Sequence, residues 1–142
     1  MGKLENICKS KAFQDAIMGA RSLLIVVLDR DGCVRFMNKE GARILGYNQE
    51  EVIGKDWFHN FLPEKIRGDV RSVFDSIILG KLEIYREYQN AVLTKKGDEK
   101  IILFTNSVVR EKGKINGIFS IGIEVTEQVR LNEELKRLVE TN

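Results

Sequence analysis

The spacing of apolar residues changes abruptly at Gly80, and this change limits the folds available to the chain. Before it, apolar residues recur every three or four positions, which predicts a helix from Pro63 to Gly80. The apolar face of that helix carries Ile66, Val70, Val73, Phe74 and Ile77. After Gly80 the period becomes two, so residues 82–94 and 100–110 read as strands. Because strands also precede the helices, the pattern predicts an α+β domain with an antiparallel sheet.

Turn signals place the strands. The apolar run 23–28 and the segment 33–37 flank an Asp-Gly turn, which predicts a hairpin. A second hairpin turns within residues 95–98. If three residues form that loop, one face carries Tyr88, Asn90, Val92, Ile102, Phe104, Asn106 and Val108. Residues 115–125 are apolar on both faces, as in a central strand.

Sequence signals for helices occur in the middle of the chain and at both of its ends. Asn38 can cap a short helix ending at Gly46. Asn48 and Glu51 have capping-box spacing before Gly54. Residues 3–20 and the segment from about Thr126 are amphipathic. We therefore expect an N-terminal helix over 1–20, a domain over 21–126 and a C-terminal helix beginning over 127–142.

Composition excludes several classes of function. The 142 residues carry a net charge of +2 with the signs interspersed, so no basic patch predicts nucleic-acid binding. No apolar run is long enough to span a bilayer, and the first ten residues do not read as a signal peptide, so we expect a cytoplasmic chain without direct membrane contact. Cys8 and Cys33 form no CxxC pair, and with one histidine they predict no metal site.

In this order, four segments resemble the PAS family over roughly residues 20–128. Residues 29–38 resemble its opening hairpin, and residues 41–55 its helical connector. Residues 95–100 resemble its late hairpin, and 117–127 its last strand. In that strand Glu124-Val125-Thr126 takes the place of the commoner Asp-Ile-Thr signature.

The resemblance implies a five-stranded sheet with helices over one face, and often a pocket between them. A narrower likeness is to sensory-box domains of bacterial or archaeal histidine kinases and diguanylate cyclases. It rests on Trp57-Phe58, Phe61-Leu62-Pro63, Tyr88-Gln89-Asn90 and Thr105-Asn106. It implies a sensory module that relays its signal to an output domain absent from these residues. No residue is predicted to be catalytic, so any kinase or cyclase activity belongs to that output domain.

Haem and flavin are less favoured than no cofactor. Haem-binding members place their ligand on the long helix, whereas His59 precedes it. Residues 56–61 contain no cysteine for a flavin photoadduct, although non-covalent flavin stacked on Trp57 remains open. Trp57 is also interpreted as a core aromatic.

The candidate ligand-binding pocket contains Trp57, Tyr88, Asn90, Phe104 and Asn106. Alternation places both asparagines on the face that the helices cover, where an unpaired amide costs about 1–3 kcal/mol. Each must therefore bond to a ligand, an ordered water or a loop backbone.

The relay is assigned to Glu124 and Thr126, followed by Leu131, Leu135 and Leu138 at coiled-coil spacing. With the N-terminal stripe of Leu4, Ile7, Phe13 and Ile17, these leucines predict a parallel homodimer through the terminal helices. Three alternatives stay open: helices that cap their own domain, a ligand-free dimerisation scaffold, and a haem or flavin redox sensor.

Overall fold

The computed structural model describes residues 23–83 and 87–140. The predicted N-terminal helix over 1–20, with Leu4, Ile7, Phe13 and Ile17, lies outside them. The first half contains β1 Leu23–Asp29, β2 Val34–Met37, α1 Lys39–Leu45, α2 Gln49–Val52, α3 Trp57–Phe61 and α4 Glu64–Ile78. The second half contains β3 Glu87–Leu93, β4 Glu99–Glu111, β5 Lys114–Glu124 and α5 Thr126–Glu140. The α+β prediction is confirmed.

The five strands form one antiparallel sheet in the order β2-β1-β5-β4-β3. Strand β5 is central, as its two apolar faces predicted. The amide of Thr94 donates to the carbonyl of Asp98 over 2.8 Å, which leaves a three-residue loop between β3 and β4. Tyr88 therefore faces Phe104 in the predicted register. Among the described residues β3 covers Glu87–Leu93, and Leu82 and Glu83 are not in a strand, although the sequence indicated one from residue 82.

Asn38 fixes α1 to the sheet as well as capping it. Its Oδ1 accepts from the amides of Ile25 at 2.8 Å and Gly41 at 3.0 Å, and its Nδ2 donates to Leu23. Gly46 ends the helix at φ 84°, a left-handed conformation that glycine adopts without strain. The sequence predicted both ends of this helix correctly.

Helix α3 was not predicted. The carboxylate of Asp56 caps it by accepting from the amide of His59 over 2.9 Å. The five-residue helix is too short to show a periodic apolar face, so the segment reads from sequence as a connector. Its Trp57, Phe58 and Phe61 are all buried.

Helix α4 lies against the sheet through the predicted face, of which Phe74 and Ile77 are buried and Ile66, Val70 and Val73 are partly buried. We expect Arg67, Asp69 and Arg71 to face solvent from the sequence, but of these three only Asp69 is exposed. Arg67 donates to the carbonyl of Leu62, and Arg71 is half-buried in contacts with neighbouring elements.

Candidate functional site

A cavity of about 90 Å³ lies between α4 and the helix-facing side of the sheet. Its lining residues, drawn from β1, α3, α4 and the last three strands, are Val26, Leu28, Trp57, Phe58, Val70, Val73, Phe74, Ile77, Tyr88, Asn90, Phe104, Asn106, Ile118 and Ser120. The structure thus brings together all five residues predicted for the pocket. Their role in binding a ligand stays a prediction.

Aromatic side chains form much of the wall. The Trp57 ring meets Phe104 edge to face, with centroids 6.3 Å apart and planes at 82°. Phe58 meets Phe74 at 5.1 Å in the same manner. Trp57 is only 5% exposed, so it is a core residue that also lines the cavity. The interpretation of Trp57 as a core aromatic is therefore compatible with its place among the predicted pocket residues.

The two predicted asparagines occupy different parts of the floor. Asn90 pairs across the strands with Ile102, whereas Asn106 pairs with Ser120. Four residues on β4 separate these positions, about 14 Å at the usual strand rise. The row formed by Tyr88 and Phe104 lies between them, so the asparagines do not form one cluster.

Each asparagine has a hydrogen-bond partner within the protein. The Ser120 hydroxyl donates to Asn106 Oδ1 over 2.6 Å, and Asn90 Nδ2 donates to the carbonyl of Ala91 over 2.7 Å. Sequence reasoning missed Ser120. It could have been found by alternation, because it shares a strand face with Ile118.

Gly122 makes room for the floor. A Cβ built at this residue would lie 2.5 Å from Ile102 Cγ2 and 3.0 Å from the Phe104 ring. Both neighbours belong to the cavity side of β4, so a larger residue would push them away from β5. The glycine marks a close approach of side chains to the strand backbone.

An ion-paired arginine stands behind the aromatic wall. Arg71 Nη1 lies 3.3 Å from Asp56 Oδ2, and its Nε lies 3.1 Å from Asp75 Oδ1. Its guanidinium also lies 4.9 Å from the Phe58 ring centroid. These contacts join α4 to the start of α3 beside the cavity.

The predicted relay residues tie α5 to strand β4. Thr126 Oγ1 accepts from the amide of Ile101 over 2.8 Å and donates to Glu124 Oε2 over 2.9 Å. Lys100 Nζ lies 3.9 Å from Glu124 Oε1 and donates to the carbonyl of Ile44 over 2.9 Å. Lys100 therefore connects the end of α1 to the end of β5, two residues before α5 begins.

The apolar stripe of α5 is exposed on this chain. Leu131, Leu135 and Leu138 are 61%, 60% and 53% exposed, and Val139 beside them is exposed too. Within the described chain, the capping alternative therefore does not hold for this part of α5.

The remaining cofactor candidates have little support from geometry. His59 is exposed on α3 and is not part of the cavity lining. The cavity is far smaller than the three fused rings of a flavin, since pockets for cofactor-sized ligands measure about 300–1,000 Å³. Burial, followed by the nearby Asp29 and Asp56 carboxylates, raises the pKa of the Cys33 thiol and so disfavours a reactive thiolate.

No candidate metal cluster and no candidate membrane-spanning helix is found among residues 23–83 and 87–140. No group of three or more His, Cys, Asp or Glu side chains among them is arranged to hold a metal ion. No helix in this part of the chain combines the length and apolar character needed to cross a bilayer.

Comparison with known proteins identifies the fold. The family described as "PAS fold" matches residues 20–130. No curated protein matches the sequence significantly.

Three solved structures illustrate the likeness. The sensory box histidine kinase/response regulator of Burkholderia thailandensis superimposes with a TM-score of 0.70 at 18% identity, covering 92% of this chain and 97% of that one. The PAS domain of the Cronobacter turicensis quorum-sensing receptor RpfR, in complex with BDSF, gives 0.63 at 23% identity, covering 75% and 97%. The Vibrio cholerae VqmA dimer gives 0.63 at 16% identity, covering 84% and 53%. At these identities the likeness concerns the fold alone.

Proposed function

The chain belongs to the PAS family, and from that premise we propose that it is a sensory module of a signal-transduction protein. A small molecule or a partner acts at the cavity, and the response passes through α5 to an output domain. In this proposal residues 21–126 are the sensory domain and residues 127–142 begin the signalling helix. No catalytic step is assigned to the chain, because no charged side chain, histidine or cysteine lines the cavity within the described residues.

The observation that carries the proposal is the course of strand β5. Ile118 and Ser120 of this strand form part of the cavity floor, and four residues later Glu124 leads through Val125 into α5. A shift of β5 in response to a ligand therefore moves the attachment of α5. The ligand biases this equilibrium only by binding the two conformations with different affinity.

The polar contacts at the end of β5 supply the coupling. Thr126 holds the first turn of α5 to Ile101, and Lys100 brings the end of α1 within reach of Glu124. Helix α1 and the helix that leaves the domain thus both contact the start of strand β4. This arrangement supports the assignment of Glu124 and Thr126 to the relay.

The output requires a partner for α5, and we assign that partner to a second copy of the chain. The exposed leucines recur at four-three spacing, which favours a coiled-coil seam. In a parallel homodimer both copies of α5 leave the domains on the same side and approach paired output domains together. The ligand-free dimerisation scaffold shares this seam but not the use of the cavity.

Native mass spectrometry of freshly purified protein, paired with sedimentation, tests the proposal by reporting bound mass and oligomeric state together. The variant Leu131→Glu with Leu135→Glu is expected to shift the dimer towards monomer while the circular dichroism of the sheet is retained. The matched control is Lys136→Glu, which changes the net charge by the same two units at an exposed position of α5 outside the leucine stripe. It should leave the dimer intact.

Three outcomes would contradict this function. A wild-type monomer at high micromolar concentration would remove the dimer. A double variant that unfolds would mean that α5 stabilises its own domain. A dimer that binds no small molecule and no partner at the cavity would favour the scaffold.

A further inference from the structure

The cavity is small and walled by aromatic rings, and its floor is polar at two separate places, the Asn106–Ser120 pair and Asn90. From these features we propose that it takes a molecule no larger than a single ring, with an apolar body and one hydrogen-bond donor that meets Ser120. This inference rests on the sensory function proposed above and names the class of ligand.

The volume sets the size limit. An apolar protein cavity of about 150 Å³ holds benzene, and pockets for drug-sized ligands begin at about 300 Å³. At about 90 Å³ this cavity accommodates one small ring with slight adjustment of its walls. A long acyl chain would extend well beyond this volume.

The walls select an apolar and preferably aromatic body. Trp57 and Phe104 meet edge to face, as do Phe58 and Phe74. Aromatic rings prefer this geometry because the positive edge of one ring meets the negative face of another. A ligand ring can extend the same packing without any charged partner.

The depth of the site depends on Gly122. Because a Cβ at this position would overlap Ile102 and crowd Phe104, the glycine lets both side chains lie close to β5. The Phe104 ring then separates the Asn106–Ser120 side of the floor from Asn90. A ligand of one ring therefore reaches the Asn106–Ser120 pair without reaching Asn90.

The pair of Asn106 and Ser120 is polar in an otherwise apolar part of the floor. It lies between Leu28 and Ile118 on one side and the Phe104 row on the other. Two apolar residues of the same shape would serve the fold about as well, since replacing both members of a buried hydrogen-bonded pair is nearly neutral. The fold alone thus gives no reason for this pair.

The hydrogen bond within the pair fixes what Ser120 offers a ligand. Its hydroxyl proton goes to Asn106 Oδ1 over 2.6 Å, so the oxygen presents lone pairs as an acceptor. Ser120 is only 7% exposed, so water competes little for this acceptor. A hydroxyl or amide N–H on the ligand is its complement.

An NMR titration with benzyl alcohol, toluene and dodecanoic acid tests the inference. Benzyl alcohol and toluene have similar bodies and differ in the donor. We expect benzyl alcohol to shift the amide signals of β4 and β5 and to bind about 10-fold more tightly than toluene, the worth of one hydrogen bond. Dodecanoic acid should bind more weakly than benzyl alcohol and leave these signals unshifted.

Variants locate the contact. Ser120→Val, made together with Asn106→Leu so that no unpaired acceptor is left, removes the acceptor at similar volume and should reverse the preference, so that toluene binds more tightly. Ser107→Val is the matched control, since it makes the same serine-to-valine change on β4 at an exposed residue of the opposite face. It should leave the 10-fold preference unchanged. If the double variant fails to fold, the comparison of probes on the wild type decides.

Three results would overturn the inference. Toluene binding as tightly as benzyl alcohol to the wild type means that the donor is unused, and tighter binding of dodecanoic acid means that the size limit is wrong. In both cases a ligand-binding cavity still stands. If none of the three probes shifts the signals of the cavity, this inference fails together with the proposed ligand site.

Discussion

Replacing Phe74 by alanine tests whether α4 closes the cavity. Phe74 is 4% exposed, meets Phe58 edge to face, and lies 5.8 Å from the guanidinium of Arg71. Removal of a buried phenylalanine ring typically costs 3–5 kcal/mol, a figure that already includes its ring contacts. Because the ring borders a cavity, the space left by the substitution joins that cavity and the walls cannot collapse fully. We therefore expect a loss of about 4 kcal/mol rather than a smaller one.

Urea unfolding followed by circular dichroism measures this loss as a fall in the midpoint at constant slope. Ser72→Ala is the control, because it shortens an exposed side chain on the same helix and should change the free energy of unfolding by less than about 0.5 kcal/mol. A loss below about 1 kcal/mol for Phe74→Ala would refute the packing of α4. A changed slope would instead point to an altered denatured state or a populated intermediate.

Three further predictions concern the cap of α1, a surface ion pair and the colour of the protein. Asn38→Ala should lower the free energy of unfolding by about 2–3 kcal/mol in the same urea assay, because it removes a helix cap and leaves buried amides unpaired; a loss under about 0.5 kcal/mol would contradict this. The hydrogen bond from Lys95 lowers the pKa of Glu51, so this contact stabilises the fold above the ordinary pKa of 4.5 and is lost as the pH falls through the lowered folded value. The stability difference between wild type and Glu51→Gln should therefore shrink between neutral pH and about pH 3, whereas a constant difference would contradict the assignment. Purified protein should show neither a haem Soret band nor a flavin band, and a one-to-one haem complex abolished by His59→Ala would overturn that expectation.

Helices and strands that have a regular spacing of apolar residues or recognisable caps could be predicted from the sequence. Asn38 and Gly46 bound α1 because an amide acceptor and a left-handed glycine satisfy the two ends of a helix in chemically different ways. The register of β3 and β4 followed from loop length alone, since a period of two leaves only two choices of face. The family resemblance added the number of strands and the helices over one face of the sheet, which periodicity does not determine.

Features that depend on three-dimensional proximity could not be predicted in this way. Helix α3 has one turn and a side-chain cap from Asp56, so it shows no repeat. The role of Gly122 depends on Ile102 and Phe104 of a neighbouring strand, and a glycine in a strand has several possible causes. Arg71 was expected to face solvent because its neighbours in the sequence do not show that the Asp56 carboxylate lies beside it in the fold.

The candidate site also combines features that the sequence predicts with features that depend on three-dimensional proximity. Alternation correctly placed Asn90 and Asn106 on the covered face, but it could not say that Phe104 would stand between them. That separation changes which ligand groups the floor can bind, because two adjacent amides could both hydrogen-bond to the same polar group. Separated amides leave the Asn106–Ser120 pair as the polar feature at the centre of the floor. In the ligand site proposed above, specificity depends on Ser120, a residue whose face the sequence reveals and whose partner only the fold supplies.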